Sequence, residues 1–233
     1  MKNILSSAAY QAAQSLKRQG FEAVRSHLGH VIAAALGYGS HEALVLEEKD
    51  NKLPWHLGDA EVWVLNLGQA QERATGLNLP GNAFEVCAEA LKSVSTIPVF
   101  FGIDPWWDEY MRQILEDELV DADEVHSAIA DSNAYFEHTP DLDSGAYFTA
   151  NLWSSSDTWE VSAEGTMCGD FDLEGDRPLT GDVIELGVNV IFAKAGRAGL
   201  VRQETEVRAG VRVEPDEDDP DEAYERSMDN PHA

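Results

Sequence analysis

The sequence predicts an α+β fold, and this prediction depends on how the apolar residues are spaced. Helical spacing dominates much of the chain up to about residue 143, whereas beyond it apolar and polar residues alternate in runs separated by Gly- and Asp-rich turns. The apolar fraction of 43% is large enough for a folded core. We expect an N-terminal helical hairpin (1–50), a mixed helical or α/β middle (51–143), a C-terminal antiparallel β unit of about four strands (144–213) and an acidic disordered tail (214–233).

The first segment has the signals of two helices and a short third one. Helical spacing predicts a helix over 3–19 that Gly20 ends, and a second helix over 21–36. Ser40 is a suitable N-cap for a third helix over 41–48, because its hydroxyl can accept a backbone N–H of the first turn. The second helix should bury a stripe formed by Val24, Leu28, Val31, Ile32, Ala35 and Leu36.

The middle segment mixes strand and helix signals. Alternation predicts a strand over 60–67, and a short apolar run predicts a buried strand over 97–103. Between them, 69–75 and 82–93 have the spacing of helices, with Cys87 on the buried face of the second. This order of elements indicates an α/β or mainly helical unit.

Two acidic helices should follow. Asp104 is expected at the N-cap and Pro105 at the first helical position of a helix that reaches about residue 119. Asp121 or Asp123 should cap the next helix, to about residue 136. Their exposed faces would carry most of the acids, whereas the first helix would bury Trp107, Met111, Ile114 and Leu115.

The last folded segment should consist of strands. We predict them over 147–153, 158–171, 182–193 and 200–213, with residues 194–199 as a connecting turn. Cys168 falls inside the second of these strands and is interpreted as a packing residue. Four antiparallel strands need a second layer, which the helices can supply.

The charge of the chain restricts its possible partners. Asp and Glu number 43 against 16 Lys and Arg, a formal net charge of −27 at pH 7. A protein that binds nucleic acid needs cationic side chains against the phosphates, so this composition argues against direct DNA or RNA binding. Residues 104–143 carry thirteen acids and a single base, Arg112, which favours a basic protein partner.

The composition also bears on compartment and chemistry. The N-terminus has no secretory signal, no stretch approaches the roughly 20 apolar residues of a membrane helix, and two cysteines do not form a disulfide framework, so we expect a cytoplasmic protein. No phosphate-binding loop, dinucleotide-binding fingerprint or Gly-x-Ser-x-Gly nucleophile motif is present. We therefore predict no cofactor, no metal and no catalytic residue.

The acids between 104 and 143 support three hypotheses. The first is a non-enzymatic protein that uses these acids to bind a basic partner, as an inhibitor, an antitoxin or a mimic of DNA. The second is a metal-dependent hydrolase in which the carboxylates converge on one pocket, and the third is an accessory domain whose charge serves only solubility. The candidate binding residues are Asp104, Asp108, Glu109, Glu116, Asp117, Glu118, Asp121, Asp123 and Glu124.

One segment has a familiar pattern. Ser26-His27-Leu28 begins an apolar helix, Leu36-Gly37-Tyr38-Gly39 follows as a turn, and Ser40 to Leu44 begins the next helix. Residues 26–44 resemble a short helical module of bacterial proteins labelled "glyoxalase superfamily" and of proteins from integrative elements and plasmids. The resemblance implies a bacterial or mobile-element origin. The glyoxalase label implies a repeated βαβββ unit with His and Glu metal ligands, which the sequence does not contain, so no activity or ligand is carried over.

Overall fold

A computed structural model describes residues 2–137, 139–170 and 181–212 of the chain. The N-terminal helices are α1 (Lys2–Arg18), α2 (Arg25–Ala35) and α3 (His41–Glu47). Ser40 caps α3 as predicted, because its side chain accepts the N–H of Ala43. The second helix begins later than predicted: Val24 is extended and 60% exposed, so it does not belong to the buried stripe.

The middle segment is α/β. It contains β1 (Val62–Val64), α4 (Leu67–Gly76), α5 (Ala83–Val94) and β2 (Val99–Phe100). The two strands are parallel, with Trp63 opposite Val99, so α4 and α5 form the crossover between them. Both strands are shorter than the apolar runs that predicted them.

The acidic helices are α6 (Ile103–Trp106), α7 (Arg112–Val120) and α8 (Asp123–Asp131), with a π-helical turn over Trp107–Met111. The predicted cap at Asp104 is wrong, because the chain leaves β2 through Gly102 and the helix already starts at Ile103. Neither aspartate caps α8, since the N-cap position is Ala122.

The end of α8 also differs from the prediction. The helix stops at Asp131 rather than near residue 136. The chain then extends, and Asp170 donates its N–H to the carbonyl of Tyr135 at 2.6 Å. A backbone pairing with the sheet therefore replaces the last predicted turn.

The remaining strands are β3 (Asp141–Leu142), β4 (Tyr147–Phe148), β5 (Thr158–Cys168), β6 (Val183–Ala195) and β7 (Gly199–Val211). The strand predicted over 147–153 is shortened because Leu152–Ser154 form a 3₁₀ turn, where the Asn151 side chain accepts the N–H of Trp153. The expected disordered tail, 214–233, lies outside the described residues.

One mixed sheet joins the middle and C-terminal segments. Among the described residues it has seven strands in the order β2-β1-β7-β6-β5-β3, and β4 pairs with the same edge of β5 as β3. The contact between the segments is the antiparallel pairing of β1 with β7, in which Val62 lies opposite Leu200. The sheet is thus continuous across the boundary expected at residue 143.

Two apolar cores lie on opposite faces of this sheet. Trp63 and Leu65 pack with α1 to α5 on one face, whereas Val62 and Val64 pack with α6 to α8 on the other. Cys87 is buried in the first core, and burial raises the pKa of its thiol to about 12. Cys168 is exposed at the end of β5, so its interpretation as a packing residue is wrong.

None of the described helices is long and apolar enough to cross a bilayer.

Candidate functional site

The nine candidate acids are distributed along α6, the π-helical turn, α7, α8 and the link between α7 and α8. Apolar residues from these elements, including Trp107, Met111 and Leu115, are buried against the sheet. Ile114 is only partly buried, and the other three residues of the predicted stripe are buried as expected. This packing turns most of the acids toward solvent.

Glu116 and Glu118 hold α7 on the sheet. The carboxylate of Glu116 accepts the N–H of Leu142 in β3 at 3.1 Å and lies 3.9 Å from the guanidinium of Arg112. Glu118 forms a bidentate ion pair with Arg202 of β7, in which Arg202 Nη1 donates to Glu118 Oε1 at 2.6 Å and Arg202 Nη2 donates to Glu118 Oε2. These two acids already have structural partners within the chain.

The other seven acids form what we call the acidic helical surface. All seven are exposed, and within the described residues none of them accepts a hydrogen bond or forms an ion pair through its side chain. They carry seven uncompensated negative charges on one helical layer. The surface consists of Asp104, Asp108, Glu109, Asp117, Asp121, Asp123 and Glu124.

These acids do not converge on a metal site. In the parts of the chain that the structure describes, no three His, Cys, Asp or Glu side chains come together in a group able to hold a metal ion. A hydrolase of the kind expected as the alternative requires such convergence.

A second set of acids lies on the sheet and was not identified from the sequence. The strand register puts Glu160 of β5 opposite Ile191, and Ile191 opposite Glu204 of β7, so the three share one face. Arg208 is on this face too, and Arg212 forms an ion pair with Glu185 at 2.8 Å. The charge here is mixed, unlike that of the acidic helical surface. We call this set the polar sheet face; its acids are Glu160, Glu164, Glu185, Glu204 and Glu206.

A different kind of site surrounds a lysine at the end of β6. Lys194 is 5% exposed, its Nζ donates to the carbonyl of Arg197 at 2.7 Å, and its backbone N–H donates to Asp157 O at 2.9 Å. Desolvation lowers the pKa of Lys194 to about 7, while the negative charge of Glu47 acts in the opposite direction. A large fraction of this amine is thus neutral at neutral pH.

Tyr38 and Glu47 complete the surroundings of the lysine. The phenol of Tyr38 donates to Glu47 Oε1 at 2.7 Å and accepts the N–H of Arg197 at 3.3 Å. Burial and the Glu47 carboxylate raise the pKa of Tyr38, so the phenol stays protonated. The Arg197 guanidinium lies 5.5 Å from the centre of the Tyr38 ring and 3.9 Å from Glu47 Oε2.

Two glycines allow these groups to meet. Gly37 has φ +84°, and a Cβ there would lie 3.1 Å from both Trp153 and Arg197. Gly196 has φ +64°, and a Cβ there would lie 2.6 Å from the Tyr38 hydroxyl oxygen. Positive φ and close approach both favour glycine. The turn after α2 and the turn between β6 and β7 can therefore touch.

A cavity of about 410 Å³ opens beside Lys194. The indole of Trp153 is fixed in its wall, because Nε1 donates to the carbonyl of Val64 at 2.9 Å. We call this the lysine cavity, and its lining includes Glu47, Leu53, Trp55, Trp153, Lys194 and Arg197.

The sequence pattern predicts a connecting turn from Lys194 onward, whereas in the structure β6 continues to Ala195. Ala193 and Ala195 are buried on one sheet face, and Phe192 is buried on the other, so both faces are covered where β6 ends. The sequence signal for this covering is the unbroken apolar run at 190–193, directly before Lys194.

The chain was compared with family models, with curated proteins and with solved structures, and nothing in any of the three matches it.

Proposed function

We propose that this chain is a non-enzymatic acidic binding protein of bacterial or mobile-element origin that engages a basic protein partner, as an inhibitor, an antitoxin or a mimic of DNA. The observation that carries the proposal is the acidic helical surface, where seven exposed carboxylates have no cationic partner among the described residues. The origin is inferred from the resemblance of residues 26–44.

Unpaired exposed carboxylates suit a cationic partner for a physical reason. A concentrated negative field attracts a basic protein over a Debye length of roughly 8–10 Å at ordinary salt. Asp123 and Glu124 lie in the first turn of α8, where the helix dipole favours negative charge, but no ion pair within the described residues accounts for the seven acids. Glu116 and Glu118, by contrast, are explained by their contacts with β3 and β7.

The proposal predicts graded behaviour when single charges are removed. Asp108, Glu109, Asp117 and Asp121 would each be changed to Asn or Gln, singly and together. Basic proteins captured from a bacterial lysate at low salt would be purified, and the dissociation constant of each complex would be measured with every variant.

We expect each single change to weaken binding by a factor of a few, since exposed ion pairs contribute about 0.2–1 kcal/mol each. Together the four changes should weaken it by about 2 kcal/mol, or roughly 30-fold. Total loss of a metal-dependent activity on changing one of them would reject the proposal in favour of a hydrolase.

A further inference from the structure

The lysine cavity has the size and the walls of a small-molecule site. Its volume of about 410 Å³ lies within the usual range for ligand pockets, roughly 300–1,000 Å³. Trp55 and Trp153 are half-buried in its wall and offer apolar surface to a bound carbon skeleton. Lys194 belongs to the lining, together with Arg197, three carboxylates and three serines.

The charges around the cavity restrict the kind of ligand. An anionic ligand would meet three carboxylates, and a cationic ligand would meet the Arg197 guanidinium, whereas much of the Lys194 amine is neutral at pH 7. Several of these charges already have partners: Glu47 lies 3.9 Å from Arg197, and Asp50 accepts the N–H of Lys52 at 3.0 Å. An uncharged ligand fits best. The charged groups that face the cavity are Glu47, Asp50, Asp157, Lys194 and Arg197, and Tyr38 contacts two of them from behind.

We propose that the lysine cavity binds a neutral carbonyl compound, an aldehyde or ketone, which condenses with the ε-amine of Lys194 to form an imine. A desolvated amine is nucleophilic because its lone pair is free, whereas an exposed ammonium has none to offer. Burial of Lys194 supplies that condition at neutral pH.

The condensation balances without any further reagent. The amine nitrogen bonds to the carbonyl carbon, and one N–H proton moves to the carbonyl oxygen to give a carbinolamine. The C–O bond then breaks, the hydroxyl leaves as water with the second N–H proton, and the C=N bond forms. Nothing is oxidised or reduced, and no turnover is required of the protein.

This inference is independent of the proposed function. The cavity is formed by the connection after α3, the 3₁₀ turn at Leu152–Ser154 and the turn between β6 and β7. None of its lining residues belongs to the acidic helical surface. Failure of either proposal would leave the other standing.

The test traps the imine in the full-length protein at pH 7.0. Benzaldehyde serves as the probe, sodium cyanoborohydride reduces any imine, and peptide mass spectrometry measures labelling at every lysine. Lys49 and Lys92 are exposed internal standards. At pH 7 an ordinary lysine is neutral in only about one molecule in 2,500. We expect labelling of Lys194 to be about 10-fold faster or more, to saturate with benzaldehyde, and to level off above about pH 7.

Two controls separate a reactive amine from a binding site. Benzyl alcohol has the shape of the probe without its carbonyl group and should compete for the cavity. Trp55→Ala removes part of the wall and should weaken saturation. A further variant, Lys194→Met, should remove the fast, saturable part of the labelling of the whole protein. Labelling of Lys194 no faster than that of Lys92 would overturn the proposal. Fast labelling without saturation, unaffected by benzyl alcohol and by Trp55→Ala, would overturn it too.

Discussion

Replacing Lys194 with Met should make the protein more stable at pH 7, and the gain should shrink as the pH rises. Burial lowers the pKa of this amine from 10.5 to about 7. Between these values the unfolded chain binds a proton that the folded chain does not, so the stability of the wild type increases with pH. The methionine variant lacks this contribution.

The size of the effect follows from the two pKa values. Lowering the pKa destabilises the folded state by about 4 kcal/mol at pH 7.0 and by about 1.5 kcal/mol at pH 9.5. The stability difference between Lys194→Met and the wild type should therefore fall by about 3 kcal/mol over this window. Loss of the hydrogen bond to Arg197 adds an offset that does not vary with pH. The raised pKa of Tyr38 does not enter, because Tyr38 is present in both proteins and its contribution cancels in the difference.

Urea unfolding followed by tryptophan fluorescence gives the required free energies at several pH values. Lys49→Met is the matched control, since Lys49 is exposed and its loss should leave the pH profile unchanged. If the difference between Lys194→Met and the wild type varies by less than about 0.5 kcal/mol, the amine is not desolvated and the reasoning fails.

Three further predictions concern the fold and the charge. Ile32 is 1% exposed, so Ile32→Asp should lower the free energy of unfolding by about 3 kcal/mol or more. Val24 is 60% exposed, so the control Val24→Asp should change this free energy by less than about 0.5 kcal/mol. Equal thermal melts for the two variants would contradict the packing of α2. Ending the chain after Val213 removes an acidic segment with no apolar pattern, and we expect the melting temperature to stay the same; a drop of many degrees would show that the segment is docked. No binding to duplex DNA is expected in fluorescence anisotropy at about 150 mM salt, and a salt-sensitive sub-micromolar complex would refute this.

Local signals predicted local structure well. Ser40 caps α3 because its hydroxyl accepts the N–H of Ala43. This interaction spans four residues, so the local sequence alone indicates it. The three long strands follow from alternation, and the strand and helix signals of the middle segment indicated an α/β unit as one of two possibilities. In these places the local preference and the tertiary fold agree.

Interactions between distant parts of the chain were not predictable in the same way. The pairing of β1 with β7 joins residues more than 130 positions apart, and no local pattern specifies it. The structural roles of Glu116 and Glu118 depend on β3 and β7, so the sequence showed them only as members of an acidic group. The lysine cavity required three connections to meet, which Gly37 and Gly196 make possible.

In the proposed function, the position of the acids determines the affinity for a basic partner, in addition to the net charge of the chain. Two variants with the same change in net charge test it. One changes Asp108, Glu109, Asp117 and Asp121 of the acidic helical surface to Asn or Gln. The other changes four glutamates of the polar sheet face to Gln: Glu160, Glu164, Glu204 and Glu206.

The most direct measurement is the dissociation constant of both variants with one purified basic partner, at low and high salt. We predict binding weaker by roughly 30-fold for the helical variant at low salt, a change of only a few-fold for the sheet variant, and a smaller difference between them at high salt. Equal losses for the two variants would mean that net charge alone attracts the partner, and would contradict the account.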